Sequence, residues 1–458
     1  MTLLDPADSR PIHFVGIAGA GMCALAELFA RRGIPISGCD GVIEGAAGLA
    51  RYGVSLQVGH DPAHVRGARG VVYTAAMRED HPELAAARAA GLPVMKRAAA
   101  LGEVTAGREL VGIAGTHGKT TTTVLTAEAL AAAGRDPTAL VGGRVAAWQG
   151  NLRAGSDALY VVEADEYDRS FLTLQPTVAV VTNIEADHLD IYHDLADIEA
   201  TFADYAGRAR WIVLCADDAG ANALRTPASA EVIRYGVTSP DARLRAESLG
   251  HADGRQRLAL RYDGDAIGEL SLRVPGRHNA LNALAAVGTG LAMGLTLDAM
   301  RPGLEAFTGV ARRFERVGEA RGILVIDDYA HHPTEIAATL AAARGAFPGR
   351  RIVAAFQPHL FSRTRDFARE FGEALAGADT VFLTEIYAAR EAPIPGVSSA
   401  LVADAVGRAG GALAWRGERP ALAPALAGAA REGDVVLLMG AGDITHTGPE
   451  LLARIQGG

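Results

Sequence analysis

From one end of the chain to the other, short apolar runs rich in Val, Ile and Leu alternate with Ala-rich stretches whose apolar residues recur at helical spacing. A strand buried on both faces reads as a continuous apolar run, and a helix covering a sheet reads as a one-sided stripe, so the alternation predicts parallel sheets wrapped by helices. Three series separate. The first opens with His13-Phe14-Val15-Gly16, continues through Pro35-Ile36-Ser37-Gly38 and Gly70-Val71-Val72-Tyr73-Thr74, and ends near Gly107. The second starts at Glu109-Leu110-Val111-Gly112-Ile113-Ala114, includes strands at residues 158–162 and 178–181, and closes with the Ala-rich helix after Gly276. The third follows Gly309-Val310-Ala311-Arg312-Arg313-Phe314, with strands at residues 323–326, 352–355, 380–383 and 435–438. Residues 229–275 alternate polar and apolar positions and carry turns such as Asp263-Gly264, which predicts a small antiparallel excursion. The expected fold class is α/β in three domains, residues 1–107, 108–308 and 309–458.

The length of 458 residues agrees with three domains at about 150 residues each. A net charge of −9 with 49% hydrophobic residues excludes a disordered acidic chain and a basic coat for nucleic acid. The longest uncharged stretch, residues 279–297, includes Asn, Thr and Gly and falls short of a membrane span. Residues 1–12 carry Asp5, Asp8 and Arg10 where a secretory signal would be basic and then apolar, so a cytoplasmic protein is expected. Cys23, Cys39 and Cys215 show no paired spacing, which indicates neither a disulfide framework nor a zinc cluster. Lysine stands at only two positions, Lys96 and Lys119, so each is a candidate for specific work.

Lys119 sits in Gly115-Thr116-His117-Gly118-Lys119-Thr120, between the second series' opening strand and a helix that begins with Thr121. In such a loop backbone N–H groups surround phosphate oxygens, a lysine neutralises the β/γ charge, and the hydroxyl after it can hold Mg²⁺. The common form of an ATP loop would need glycine where Ile113 stands, so the match is to a variant. The next strand ends in Glu163-Ala164-Asp165-Glu166, and Glu163, first off the strand, is the expected Mg²⁺ ligand. The strand after it leads into Asn183-Ile184-Glu185-Ala186-Asp187-His188-Leu189-Asp190. His188 there reads either as a hydrogen-bonded structural histidine or as a ligand of a second metal.

In the first series, Gly16-Ile17-Ala18-Gly19-Ala20-Gly21 joins a strand to a helix, and Asp40 ends the following strand. Glycines at such a turn admit a pyrophosphate and the acidic residue meets a ribose, as in Rossmann-like folds. The spacing here is GxxGxG, and plain turn packing stays open. In the third series, Asp327-Asp328-Tyr329-Ala330-His331-His332-Pro333-Thr334-Glu335-Ile336 leaves a strand and enters a helix with Pro333 suited to its first position. Phe356-Gln357-Pro358-His359 and Ser362-Arg363-Thr364-Arg365 follow the next strand. The histidines and arginines form a candidate anion site, with a solvated helix start as the alternative.

Taken in order, these motifs, with Gly276-Arg277-His278-Asn279-Ala280-Leu281-Asn282-Ala283, Arg312-Arg313-Phe314 and Gly440-Ala441-Gly442-Asp443, resemble the Mur ligases, and most closely those acting early in bacterial peptidoglycan synthesis. The resemblance implies an N-terminal Rossmann-like domain for a UDP-sugar, with Gly16, Gly19, Gly21 and Asp40 at the nucleotide. It implies a central P-loop ATPase-like domain, with Gly115, Thr116, His117, Gly118, Lys119, Thr120, Thr121, His278, Asn282 and Asp328 at ATP, the histidine and Asn282 contacting adenine. Thr120, Glu163 and His188 are the implied Mg²⁺ residues. A C-terminal Rossmann-like domain would close over an amino acid held by Tyr329, His331 and Arg363. The implied substrates are ATP, UDP-N-acetylmuramate and L-alanine, joined through an acyl phosphate, with Lys119, Glu163, His188, His331 and Arg363 as the implied catalytic set.

Two departures qualify the resemblance. Tyr167 follows Glu-Ala-Asp-Glu where alanine-adding members often have serine, a feature shared with the relative that attaches a recycled tripeptide to the same nucleotide. Second, the carbamylated lysine of several sister ligases has no counterpart, because lysine is absent beyond Lys119. An NAD-dependent dehydrogenase would explain the first glycine turn but not Lys119, and a non-catalytic nucleotide-binding regulator would not explain the third-series cluster. Nucleic acid and membrane are not expected partners, and monomer and homodimer both stay open.

Overall fold

The structure is a computed structural model that describes residues 8–188, 191–389 and 391–457. Leu189 and Asp190 of the His188 segment, and Asp5, therefore lie outside the described residues. No helix among those described is long and apolar enough to cross a membrane.

The first sheet contains β1 (Ile12–Val15), β2 (Ile36–Asp40), β3 (Ser55–Val58), β4 (Gly70–Tyr73) and β5 (Val94–Lys96). Its order is β3-β2-β1-β4-β5, and the pairings are parallel. Successive strands run outward on either side of β1, so the turn leaving β1 opens at the point where the winding reverses. β3 was not foreseen, because its exposed residues make no apolar run.

The second sheet contains β6 (Glu109–Ala114), β7 (Thr138–Val145), β8 (Gly150–Arg153), β9 (Leu159–Glu163), β10 (Val178–Val181), β11 (Trp211–Cys215), β12 (Glu231–Gly236), β13 (Leu244–Ala252), β14 (Arg255–Tyr262) and β15 (Asp265–Leu272). Its order is β15-β14-β13-β12-β11-β10-β6-β9-β7-β8, which sets β6 between the acidic end of β9 and the polar end of β10. The alternating segment differs from expectation at its start, since β12 is an interior strand that pairs parallel with both β11 and β13, and a half-covered parallel strand also alternates. The antiparallel return begins with β14, after the turn that ends β13. Asp253-Gly254 and Asp263-Gly264 join β13 to β14 and β14 to β15, and all four residues have φ between 51° and 92°. A two-residue connection with both φ positive is the turn whose twist matches an antiparallel hairpin.

The third sheet contains β16 (Glu315–Ala320), β17 (Ile323–Asp328), β18 (Ile352–Phe356), β19 (Thr380–Thr384), β20 (Leu413–Gly417) and β21 (Val435–Met439), in the order β16-β17-β21-β18-β19-β20. Only β16 runs antiparallel in it among the described pairings. Its two faces bury separate apolar clusters, one around Ile336, Phe356 and Phe371 and the other around Phe382, Leu422 and Leu451. The chain divides into two compact units: one holds the first sheet and most of the second, the other the third sheet with parts of β13–β15 and residues 271–280.

Candidate functional site

β6 is buried from Leu110 to Ala114 and delivers the chain into a loop whose shape depends on glycine. Gly115 has φ +139, and a Cβ there would stand 2.0 Å from Thr182 Oγ1. Gly118 has φ +82, and a Cβ would stand 2.7 Å from Asn282 Oδ1. Any other residue at either position would meet both backbone strain and a clash. The loop is laced to the end of β10: Asn183 Oδ1 accepts from His117 N at 2.8 Å, Thr182 Oγ1 donates to the His117 carbonyl at 2.6 Å, and Thr116 Oγ1 accepts from Glu185 N at 2.9 Å. Helix Lys119–Ala132 then carries Thr120 and Thr121, both mostly buried, at its first turn.

Lys119 folds inward. Its Nζ donates to the carbonyls of Gly115 at 2.6 Å and Thr116 at 3.2 Å, and lies 2.8 Å from Glu166 Oε2. Desolvation works against its charge, but Glu166, Asp165 and Glu163 together outweigh that cost and hold the ammonium above its ordinary range. Burial pushes Glu166 upward despite Lys119 and His188 beside it. Three carboxylates face one cation, and Lys119 therefore stays charged.

Glu166, not Glu163, is thus the carboxylate at the lysine. Glu163 ends β9 and accepts from Gly142 N at 2.9 Å, leaving it half-buried at the sheet edge. His188 lies 3.7 Å from Glu166 Oε1 and 3.9 Å from Asp187 Oδ2, with the Tyr167 ring edge-on at 5.1 Å. Asn282 is buried and accepts from Thr122 Oγ1 at 3.1 Å, bracing the loop's helix.

The first glycine turn faces the same region. A cavity of about 220 Å³ is lined by Gly19, Gly21 and Thr74, by Arg97, and by Gly142 and Glu163 of the second sheet. Arg97 was not foreseen as a site residue. Its guanidinium lies 3.1 Å from where a Gly21 Cβ would be, and 3.9 Å from Asp165 Oδ2. A glycine-lined helix start with a guanidinium across it suits a diphosphate. Gly16, at φ +83, packs on Thr74, and Asp40 Oδ2 accepts from Ala18 N at 3.0 Å, so this carboxylate braces the turn.

In the other unit, the ends of β17, β18 and β21 bring the third-series residues together. Asp328 is buried and accepts from Phe314 N and Ala330 N, both at 2.8 Å. Burial raises it to about 6, against the pull of Arg313 and those N–H groups. Arg312 and Arg313 stack over Tyr329 at 4.9 and 5.1 Å, and Arg312 also donates to the Gly440 and Gly442 carbonyls. Glu335 accepts from His331 N at 2.9 Å and His332 N at 3.2 Å, and Pro333 opens the helix as expected. With His332 and Arg363 buried, a solvated helix start is not what forms. His331 meets His359 at 6.0 Å, and His359 stacks on Tyr387 at 5.9 Å, a residue that carried no motif. Leu360, at φ +70, is held between them by its N–H to the Tyr387 carbonyl. His278 lies in this unit too, and burial, with Arg313 nearby, lowers it to about 4.

Comparison with known proteins matches three family models in order: the Mur ligase family catalytic domain at residues 11–109, the Mur ligase middle domain at 113–290, and the Mur ligase glutamate ligase domain at 312–442. The chain is 48% identical over 452 residues to the UDP-N-acetylmuramate–L-alanine ligase of Acidothermus cellulolyticus, covering 97% of this chain and 94% of that one. It is 45% identical to the ligase of the same name from Cutibacterium acnes, with 99% and 98% covered. Among solved structures, the UDP-N-acetylmuramate–alanine ligase of Thermotoga maritima superposes with a TM-score of 0.84 at 30% identity, covering 98% of this chain and 99% of that one. A murein peptide ligase from Psychrobacter arcticus reaches a TM-score of 0.69 at 25% identity, with 98% and 99% covered. The chain belongs to the Mur ligase family.

Proposed function

We propose that this chain is an ATP-dependent amide-bond ligase that adds L-alanine to the lactyl carboxylate of UDP-N-acetylmuramate in peptidoglycan synthesis. The observation that carries the reading is the cavity shared by the first glycine turn, Arg97 and the acidic end of β9. A sugar diphosphate seated on the glycine turn would extend toward the strand end that flanks the phosphate loop. The names of the full-length relatives supply the sugar nucleotide and the amino acid.

In this reading residues 1–107 hold the UDP-sugar through Gly16, Gly19, Gly21, Arg97 and Asp40, and residues 108–308 hold ATP on the Gly115–Thr121 loop. Residues 309–458 hold alanine through Tyr329, His331 and Arg363. A lactyl carboxylate oxygen attacks the γ-phosphorus, the bond to the β-phosphate oxygen breaks, and ADP leaves. The amine of alanine then attacks the acyl carbon, loses a proton, and phosphate departs from the tetrahedral intermediate. Lys119 neutralises the phosphate oxygens before attack, which otherwise brings anion onto anion.

The Thr120 hydroxyl and the Glu163 carboxylate would hold Mg²⁺ as oxygen donors of the kind that ion takes, while the His188 imidazole is a softer donor suited to a second position. Neutralisation of charge across the phosphate oxygens is the chemistry Mg²⁺ supplies when bound. The proposed setting is the cytoplasm, as a monomer or homodimer.

Tyr167, which follows Glu-Ala-Asp-Glu, favours one second reading, a murein tripeptide as the amine substrate. Measuring ADP release tests both. The proposal expects release that requires UDP-N-acetylmuramate and L-alanine together. Release with the tripeptide and not with alanine would establish the second reading, and release needing neither would remove both.

A further inference from the structure

A second cluster of chemistry-bearing side chains lies in the first sheet, made of residues to which the proposed reaction gives no part. β1 and β2 pair in the register His13↔Ser37 and Val15↔Cys39, so the period-two pleat sets His13 and Cys39 on one face. Phe14, on the other face, packs against Phe29 of helix Ala20–Arg31. The short turn Pro62–Val65 brings His64 to the His13 face, and helix Pro82–Ala89 brings Glu83, whose side chain is fully buried. Ligand atoms of His13, Cys39, His64 and Glu83 all lie within 4.8 Å of one another.

Glu83 is an unusual anion to bury. Cys39 Sγ lies 3.1 Å and His64 Nδ1 2.8 Å from its Oε1, His60 Nδ1 lies 3.1 Å from Oε2, and Asp61 N donates to it at 3.1 Å. Among the described residues no lysine or arginine pairs with it, although a buried carboxylate ordinarily requires a cation. His13 is fully buried, its Nδ1 engaged with Ser37 Oγ at 2.9 Å and its Nε2 without any hydrogen-bond partner. A ring fixed through one nitrogen with the other left bare is the arrangement of a metal-ligating histidine.

We propose that His13, Cys39, His64 and Glu83 form a site for a divalent ion of the zinc class, which clamps β1, β2, the turn and the helix together. Nitrogen, sulfur and carboxylate oxygen are the donors zinc takes, and tetrahedral binding at about 2.0–2.3 Å per bond separates donors by roughly 3.3–3.8 Å. The four donors lie within 4.8 Å of one another, so closing on an ion asks for side-chain shifts of about an ångström. On binding, Cys39 gives its thiol proton to solvent and coordinates as thiolate, while Glu83 exchanges hydrogen bonds for a bond to the ion. His60, 3.4 Å from Cys39 Sγ, and His81, 4.7 Å from His60 ring to ring, form the more open rim through which an ion would enter. Spacing along the chain gives no hint of such a site, because its members come from four separate elements.

The test uses the full-length protein with Co²⁺ as the spectroscopic probe and Zn²⁺ as the competing ion. Expected are one ion per chain after gel filtration, a near-ultraviolet thiolate-to-Co²⁺ band lost in Cys39→Ser but kept in Cys23→Ser and Cys215→Ser, and affinity at least tenfold weaker in His64→Ala. The wild-type Tm should rise when Zn²⁺ replaces chelator. If variants fail to fold, the wild-type measurements decide. A wild-type protein with no thiolate band and the same Tm in Zn²⁺ and chelator would overturn the proposal and leave a hydrogen-bonded polar core. A band abolished by Cys23→Ser or Cys215→Ser but not by Cys39→Ser would overturn it equally.

Discussion

Lys119 Nζ lies 2.8 Å from Glu166 Oε2, so the single lysine of the phosphate loop is paired with a carboxylate three residues past the end of the neighbouring strand. In the proposed reaction, ATP bound at this loop would draw Lys119 from Glu166 and from the Gly115 and Thr116 carbonyls. In Lys119→Ala, turnover should fall by about 10²–10⁴-fold, the scale of losing one preorganised group at developing charge. Binding of UDP-N-acetylmuramate, measured by calorimetry, should change by less than a few-fold. Near-normal turnover at saturating ATP would refute the lysine's role.

Glu163 and Glu166 should separate by what they damage. Glu166→Gln leaves a buried ammonium without its counter-charge, and breaking such a pair costs up to about 3–5 kcal/mol. Thermal melting should register that loss. Glu163 is half-buried at the sheet edge, so Glu163→Gln should barely move the Tm while weakening the dependence of rate on Mg²⁺. Equal Tm losses in both variants would contradict this division.

Two buried groups in the second unit should oppose each other between pH 4 and 6.5. Burial raises Asp328 from an ordinary 3.8 to about 6, so the folded chain binds that proton more tightly than the unfolded one, and stability falls as pH rises across this interval. Burial lowers His278 from 6.5 to about 4, so the unfolded chain binds that proton more tightly, and stability is lost as pH falls. Relative to wild type, Asp328→Asn should lose more Tm between pH 7 and pH 4.5, and His278→Gln should lose less. Parallel Tm-against-pH curves for all three proteins would contradict both assignments.

Arg363→Ala should raise the apparent KM for alanine at least tenfold while acyl phosphate still forms, detectable by trapping with hydroxylamine. An unchanged KM would place the alanine carboxylate elsewhere.

Much of this architecture is legible in the sequence because β6, β9 and β10 are buried apolar runs that end abruptly in polar residues. Edge strands are not legible in that way. β3 and β16 are largely exposed, and β16 owes its place to antiparallel pairing with β17, which no local pattern encodes. Within Glu163-Ala164-Asp165-Glu166 the motif is visible but the division of labour is not. Glu163 comes first off the strand, yet the chain folds back after it and buries Glu166 against the lysine. Arg97 reaches the first glycine turn from a later helix, and Tyr387 reaches His359 by pairing between loops, so tertiary approach alone reveals them.

In the proposed reaction the sugar nucleotide's carboxylate is activated by direct transfer of the γ-phosphoryl group. UDP-N-acetylmuramate labelled with ¹⁸O in its lactyl carboxylate, turned over with ATP and L-alanine, tests it directly by mass spectrometry of the released phosphate. One ¹⁸O per phosphate, with ADP as the nucleotide product, is the predicted result. Unlabelled phosphate, or label appearing in AMP, would contradict it.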